Sequence, residues 1–566
     1  MFRRVSNIIA QKYLPLLLVL ITLFFGLIIR IYYAFYSGIF VDEASWLPIS
    51  IIYFHAFFNI PQNTSILGEN TINPIFFIIV FGILGFMISG FKSPSVISHT
   101  FWTYVPLNYL LDERLGLIAI NFIIVALIVL WIYKRNAFAA FLFLIFYWTA
   151  PVILMDTTLL LPTAITIPLS LLFYIIIVKS RLELSKYGVL SAILFGIMMS
   201  SQYYEIIFIA LPVVYYLIIF RELKFRKFIK YFLSFLIIST LTFFLLNPQY
   251  WHNPVGSLEV VLHNTIFVSS IASAVGGMPL YWLGKVTYNV PVYSVIVGLV
   301  LTTPLIDLIL FILGFALSIH MMYKILSRQR GKMDDLDKLI LLSFISFFII
   351  LIFAMSIPLF HNAFFLILIP MSFVVIIIGK RFSAYFDGNQ IKTKGCDNIP
   401  SKNHKVISHL VFKRNLKFLS IIIIVIILIA ALVPTILSAN YIPVYTNEIG
   451  NLEGYNSGKM EGAMNSIQSD MYVGKFIDNH QFQNRTIVTL ALTPMVAYYA
   501  PNNHYIQIWG KINGTLLDEY FKGDLIVVDE WYAQLWGNPV YNYSSDFNVI
   551  YTSHVNGGYS ILAVVK

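Results

Sequence analysis

Charge is scarce in this sequence: 11% of its 566 residues are Asp, Glu, Lys or Arg, against about 25% in an average soluble domain. So little polar side chain cannot clothe a soluble globule of this size. That argues against a cytosolic enzyme, a nucleic-acid binder and a disordered chain. Cysteine is nearly absent as well, and the lone Cys396 excludes an internal disulfide framework and any multi-cysteine metal site. What the chain has instead is apolar length, 59% hydrophobic and 16% aromatic. Lipid is expected to cover most of such a surface. The formal net charge of +10 means little until each Lys and Arg is assigned to a side of the membrane.

A bilayer core of about 30 Å takes about 20 apolar residues per helix. Runs of that kind lie at 14–35, 117–133, 138–155, 159–178, 187–201, 204–220, 231–246, 305–323, 339–358, 364–379 and 418–438, which predicts a polytopic α-helical membrane protein with about eleven transmembrane helices. The first run is too long for a signal peptide, lacks a small-residue cleavage site and follows Arg3, Arg4 and Lys12, so a cytoplasmic N-terminus is expected. Alternation from there places 27 of the 37 Lys and Arg in cytoplasmic segments, nine of them in a basic loop at 380–417. That loop reads as a solvated connector beside anionic lipid, with no nucleic acid involved. The cytoplasmic segments then hold 7 acidic residues and everything else 20, with 10 basic, so the excess positive charge is a topology signal. The apolar stretch 71–91 resists the count. It reads as a membrane-hugging or re-entrant helix of a first outer loop at 36–116, or as half of an extra pair with 96–110.

The last helix delivers 439–566 to the outer side. Short β-rich runs at 486–492, 505–509, 525–528, 549–551 and 561–565, separated by Gly, Asn and Asp, predict a small extracytoplasmic α/β domain, with helices at 460–476 and 493–499. Asn-X-Ser/Thr sequons at Asn63, Asn484, Asn513 and Asn542 all fall on the expected outer side.

A transporter should carry ionisable residues in mid-span, and here Asp307 alone comes near. The acids gather at expected outer ends and loops: Asp42, Glu43, Glu69, Asp112, Glu113, Asp156 and Glu205. Asp42 and Glu43 follow the first helix within aromatic residues of headgroup type. A carboxylate held near lipid is partly desolvated, which suits a general base; the alternative is that the two acids merely solvate the loop.

The run from Arg30 to Asp42-Glu43 resembles the start of the membrane-embedded C-type glycosyltransferases, particularly the dolichyl-phosphate-mannose protein mannosyltransferases and their archaeal and bacterial relatives. Further segments are similar: 106–116, Pro-Leu-Asn-Tyr-Leu-Leu-Asp-Glu-Arg-Leu-Gly; 247–254, Asn-Pro-Gln-Tyr-Trp-His-Asn-Pro, in a second large outer loop at 247–304; and the aromatic and proline-rich 281–304. The tail resembles the outer domain of archaeal members. The resemblance implies that 1–438 forms a glycosyltransferase domain in the cell membrane. Its partners would be a polyprenyl-phosphate-linked sugar donor, membrane lipids, and a protein, glycan or lipid acceptor at the outer face. Transfer would be inverting, with Asp42 as the base and Glu43 as an orienting partner or substitute. Asp156 would be a second acid for acceptor or metal, or else a helix cap. No cofactor is expected, with a divalent cation left open.

The expected outer cations are Arg30, Lys92, Arg114 and Lys285, with His252 and His361 as further donors. For the donor phosphate the reading selects Arg114, His252 and Lys285; pairing of Arg114 with Asp112 and Glu113 is its structural alternative. The chain departs from the family where relatives carry an Arg-Tyr pair, here His361-Asn362, and where they carry a Lys, here 201–205. Either the three selected groups replace the missing cations, or the donor differs, or activity is lost. Tyr250 and Trp251 are candidates to stack on a sugar ring. The non-enzymatic alternative is a transporter or lipid-linked sugar flippase, which would predict an inverted internal repeat that the sequence does not display.

Overall fold

The computed structural model describes residues 2–37, 43, 76–88, 97–98, 103–104, 107–219, 223–247, 250–251, 255–256, 259, 280–282, 285–287, 293–326, 333–356, 361–391, 427, 429–432, 462–480, 482–491, 493–508, 522–529, 547–555 and 558–566. The helix α1 (Phe2–Tyr36) is followed by α2 (Phe76–Ile88), a hairpin of β1 (Ile97–Ser98) and β2 (Thr103–Tyr104), and α3 (Leu107–Tyr133). Then come α4 (Ala137–Thr149), α5 (Pro151–Asp156), α6 (Thr163–Ser180), α7 (Lys186–Ser201), a 3-10 turn at Tyr203–Ile209, α8 (Ala210–Ile219) and α9 (Phe225–Leu246). After the hairpin of β3 (Leu280–Trp282) and β4 (Lys285–Thr287), the helices α10 (Ser294–Thr302), α11 (Leu305–Leu326), α12 (Asp335–Ser356), α13 (His361–Val374) and α14 (Ile376–Ile391) follow.

Among the described residues, seven helices are long and apolar enough to cross a membrane: Pro15–Tyr36, Tyr109–Tyr133, Thr163–Ser180, Phe225–Leu246, Leu305–Ile325, Asp335–Met355 and Leu366–Ser383. Shorter apolar helices at Ala137–Thr149, Lys186–Ser201 and Tyr203–Ile219 occupy three more of the expected positions. The last expected span, 418–438, lies almost wholly outside the described residues, so the number eleven is not reached among them. Lipid as the solvent is legible on α9. Leu233, Ile237, Leu241 and Leu245, one turn apart, are each more than half exposed, while Phe228, Tyr231, Phe235, Ser239 and Phe243 are buried. Hydroxyls inside the bundle return to their own helix, as Thr22 does to the Leu18 carbonyl at 2.8 Å and Ser372 to that of Leu368 at 2.8 Å. That satisfies the polar atoms where no water is present.

The helix α4 is buried along all of Ala139–Thr149, which makes it a central element of the bundle. It starts on the Asn136 side chain, which accepts from the Ala139 N–H at 2.8 Å. It ends because Pro151 has no N–H to continue the ladder; Pro151 instead begins α5 at the position where proline is tolerated. The helix α1 packs on α3 and α4, and α2 packs on α3. Within 71–91 the described residues, 76–88, form a helix of 13 residues, about 20 Å long. Of the expected partner stretch 96–110, the described residues are the short strands Ile97–Ser98 and Thr103–Tyr104, paired antiparallel, and the first residues of α3 from Leu107. The basic loop also begins later than expected, since α14 runs on to Ile391.

All five strand runs of the tail form strands, and they make one sheet in the order β6-β5-β7-β9-β8. Here β5 is Thr486–Leu490, β6 His504–Gln507, β7 Leu525–Asp529, β8 Phe547–Val555 and β9 Gly558–Val565, with α15 (Gly462–Asn479) before them and α16 (Thr493–Tyr499) between β5 and β6. The first three strands in that order are parallel and the last pairs antiparallel. On one face Ile487, Val527 and Leu562 pack on Val473 and Ile477 of α15 and Val496 of α16. This is the small α/β domain the sequence predicts.

Candidate functional site

Two ends of the bundle differ in character. At one end Arg135 pairs with Asp335 at 3.0 Å, and Lys380 reaches Asp334 and Asp337, each at 2.6 Å. These are partly exposed pairs of the sort that join helix ends in water. Arg135 follows the C-terminus of α3, and Arg114 lies in its first turns, about 30 Å away along a helix axis. At that second end the charges are buried.

Glu43 comes from the loop after α1, and its side chain is fully buried. Arg114 grips it in a two-armed pair, Nε to Oε1 at 2.9 Å and Nη2 to Oε2 at 2.5 Å. The other arm of Arg114 donates to the Ala34 carbonyl at 2.9 Å and to Ser37 Oγ at 3.0 Å, at the end of α1. Glu43 Oε1 also accepts from the Leu160 N–H at 2.8 Å, in the turn after α5. One carboxylate therefore ties the first loop to α1, α3 and the α5–α6 turn. The alternative pairing of Arg114 with its neighbours Asp112 and Glu113 gives way to this arrangement, because side chains adjacent in a helix diverge while a loop acid can come to the guanidinium end-on. Arg114 is also inside a helix that begins at Leu107, ten residues earlier than the expected span, which the burial and pairing of its charge allow.

Asp156 ends α5, 5% exposed. Among the described residues no hydrogen bond or ion pair reaches its carboxylate; the link at this residue is Thr163 Oγ1 donating to its backbone carbonyl at 3.4 Å. It caps no helix with its side chain. The next residue, Thr157, accepts from Arg30 Nε at 3.1 Å. Arg30 lies one turn below Ala34 on α1, is 1% exposed, and is stacked on the Trp148 ring at 3.8 Å. Its Nη1 donates to the Gly26 carbonyl at 3.4 Å, and its Nη2 has no partner among the described residues. A chain of contacts so runs from Arg30 to Thr157, from Leu160 to Glu43, from Glu43 to Arg114, and from Arg114 back to Ala34.

Of the other residues the sequence singles out, Asp42, Lys92 and His252 lie outside the described residues, and Lys285 and His361 are described in their backbone alone. Tyr250 is buried, its hydroxyl bonded to that of Tyr203 and its ring stacked on Phe243 at 5.5 Å. Trp251 is 46% exposed, with its indole N–H on the Phe244 carbonyl at 2.7 Å. Glu205 is buried inside the bundle and accepts from Ser170 Oγ at 3.0 Å. Asp307 is buried and accepts from Thr149 Oγ1 at 3.0 Å. Among the described residues no group of three or more His, Cys, Asp or Glu is arranged to hold a metal ion. Sequence reasoning names Arg30 as an outer cation and Trp148 as a tryptophan of the outer interfacial belt, and it misses Thr157 and the stacking of Arg30 on Trp148. A signal existed, since Arg30 is the one charged residue in the apolar stretch 14–35.

The fold and this site define a multi-pass helical membrane protein with an appended α/β domain and a buried charge cluster at one end. No protein-family model matches the chain, and no curated protein matches it. Among solved structures it is similar to ArnT from Cupriavidus metallidurans bound to undecaprenyl phosphate, at 12% identity and a TM-score of 0.46, over 98% of each chain. The apo state of the same protein gives 12% identity and a TM-score of 0.48, over 96% of this chain and 97% of the other.

Proposed function

We propose that the chain is a membrane glycosyltransferase that takes a sugar from a polyprenyl phosphate at the outer face, with Asp42 as general base. The observation that carries this reading is the fixing of Glu43. With its carboxylate spent on Arg114 and Leu160, Glu43 serves as a positioning residue, and its neighbour Asp42 is left as the acid of the pair for chemistry. In the reaction Asp42 takes the proton of an acceptor hydroxyl as that oxygen bonds to the anomeric carbon. The bond from that carbon to the phosphate oxygen breaks, and the lipid phosphate departs with the electron pair. Attack opposite the leaving group inverts the anomeric centre. Asp156, buried and without a hydrogen-bond partner among the described residues, suits the acceptor hydroxyl, and Trp251 has the exposed face that sugar stacking needs. The outer placement of this end rests on the distribution of Lys and Arg.

Membranes supplied with a radiolabelled polyprenyl-phosphate hexose test it. Asp42→Asn should lower transfer by about 10²–10⁴-fold, the range for loss of a general base, with the protein still folded. Undiminished transfer by a folded Asp42→Asn variant removes Asp42 from the mechanism, and no transfer by the parent protein with any such donor removes the enzymatic reading.

A further inference from the structure

The charges of this end are unevenly matched. Arg114 has Glu43. Arg30 has no acid partner among the described residues: it meets a threonine hydroxyl, a backbone carbonyl and the rings of Trp148 and Tyr147, and one arm, Nη2, is buried with no acceptor among them. A guanidinium stays protonated in proteins, so it cannot shed the charge as a buried carboxyl can. Cation–π contact with an indole offsets a part of the desolvation and leaves the unused N–H unanswered. An ionisable residue held in this way inside a membrane bundle is a candidate functional site.

We propose that Arg30 binds the phosphate of a polyprenyl monophosphate, with Nη2 donating to a phosphate oxygen; this rests on the transferase reading and assigns its donor site. The position fits the chemistry. Arg30 and Ala34 are one turn apart on the same face of α1, and Ala34 holds the Arg114 arm of the Glu43 clamp. Thr157, which orients Arg30 through Nε, is bonded in sequence to Asp156. A phosphate on Nη2 would therefore lie on the same face of α1 as the Arg114 arm of the Glu43 clamp, beside the residue that follows Asp156. A single guanidinium arm suits the lower charge of a lipid monoester better than that of a pyrophosphate. Arg30 takes the role that the sequence reading gives to Arg114, whose guanidinium is committed to Glu43.

The purified full chain in lipid nanodiscs provides the test. Binding of undecaprenyl monophosphate is measured by native mass spectrometry for the parent protein, Arg30→Gln and Arg30→Lys, with the uncharged alcohol undecaprenol and inorganic phosphate as separate probes. Arg30→Gln should weaken undecaprenyl monophosphate by about 10-fold or more, in the range for a charge-assisted hydrogen bond to phosphate, and Arg30→Lys should recover part of it. Undecaprenol binding should be the same in all three. Equal binding of undecaprenyl monophosphate by folded Arg30→Gln and parent overturns the proposal. Displacement of the lipid effect by millimolar inorganic phosphate alone assigns the site to free phosphate and overturns the lipid source. If Arg30→Gln does not fold, the parent protein decides: undecaprenyl monophosphate must raise its unfolding temperature and undecaprenol must not, and equal effects overturn the proposal. Arg30-dependent binding in a chain that transfers no sugar leaves this inference standing and removes the transferase reading; transfer with binding indifferent to Arg30 does the reverse.

Discussion

Two arginines on neighbouring helices illustrate how a buried charge is settled. Arg114 is neutralised within the protein, in a two-armed pair whose other donors end on backbone and serine oxygens. Removing one partner of such a pair strands the other in low dielectric, at a cost of about 3–5 kcal/mol, while replacing both with apolar groups of similar size costs far less. Glu43→Gln and Arg114→Met should therefore each lower the unfolding temperature of the detergent-solubilised protein markedly. The double variant should lie closer to the parent than the sum of the two; additive losses would show that the pair does not act as a unit. Tyr499, on α16 of the tail, lies within electrostatic reach of Arg114.

At the scale of elements, α12 and α14 meet through Asp334, Asp337 and Lys380. Burial opposes the charge of Asp334, and the Lys380 ammonium with the N–H groups of Asp337 and Leu336 outweighs it, so the carboxyl is held below the usual carboxylate range. A group depressed in the folded state stabilises at pH values above its unfolded pKa, about 3.9, and that stabilisation is lost as pH falls through the folded value. Asp334→Asn should accordingly unfold at a lower temperature than the parent at pH 7, with the gap closing below about pH 4. A gap independent of pH would assign the loss to shape and not to charge. The pair is partly exposed, so the effect should be small and should shrink with salt.

Elements were legible in the sequence where a single periodicity decides them. The five tail strands lie where β-rich runs stand between turn residues, and helices occupy ten of the eleven expected span positions. Boundaries were less legible. The helix α3 begins ahead of its apolar run because Glu113 and Arg114 are paired or buried in three dimensions, which hydropathy counts as exposure. Of the acid pair the sequence points to after the first helix, Glu43 lies in the buried cluster and Asp42 is outside the described residues. Glu43 and Arg114 are 71 residues apart, and Arg30 and Thr157 are 127 apart; no local pattern encodes which acid is spent on a cation and which cation is left without one.

For the molecule as a whole, the scarcity of charge becomes an arrangement: exposed pairs join helix ends at one end of the bundle, and buried groups collect at the other. The distance between α1 and α4 governs that second end, and it is set by a missing side chain. A Cβ on Gly26 would overlap the Trp148 ring, so the indole that Arg30 stacks on rests where a methyl group would otherwise stand. Gly26→Ala would ordinarily favour a helix by about 1 kcal/mol. Here it should push the indole away and uncouple Arg30 from Thr157, weakening polyprenyl phosphate binding while the Glu43–Arg114 pair stays closed. Unchanged binding in that variant would show that the arginine does not depend on the indole. If Arg30 binds an anion as proposed, that affinity is under the control of a position with no polar atom in its side chain, and a change at Gly26 would tune it without altering any group that touches the ligand.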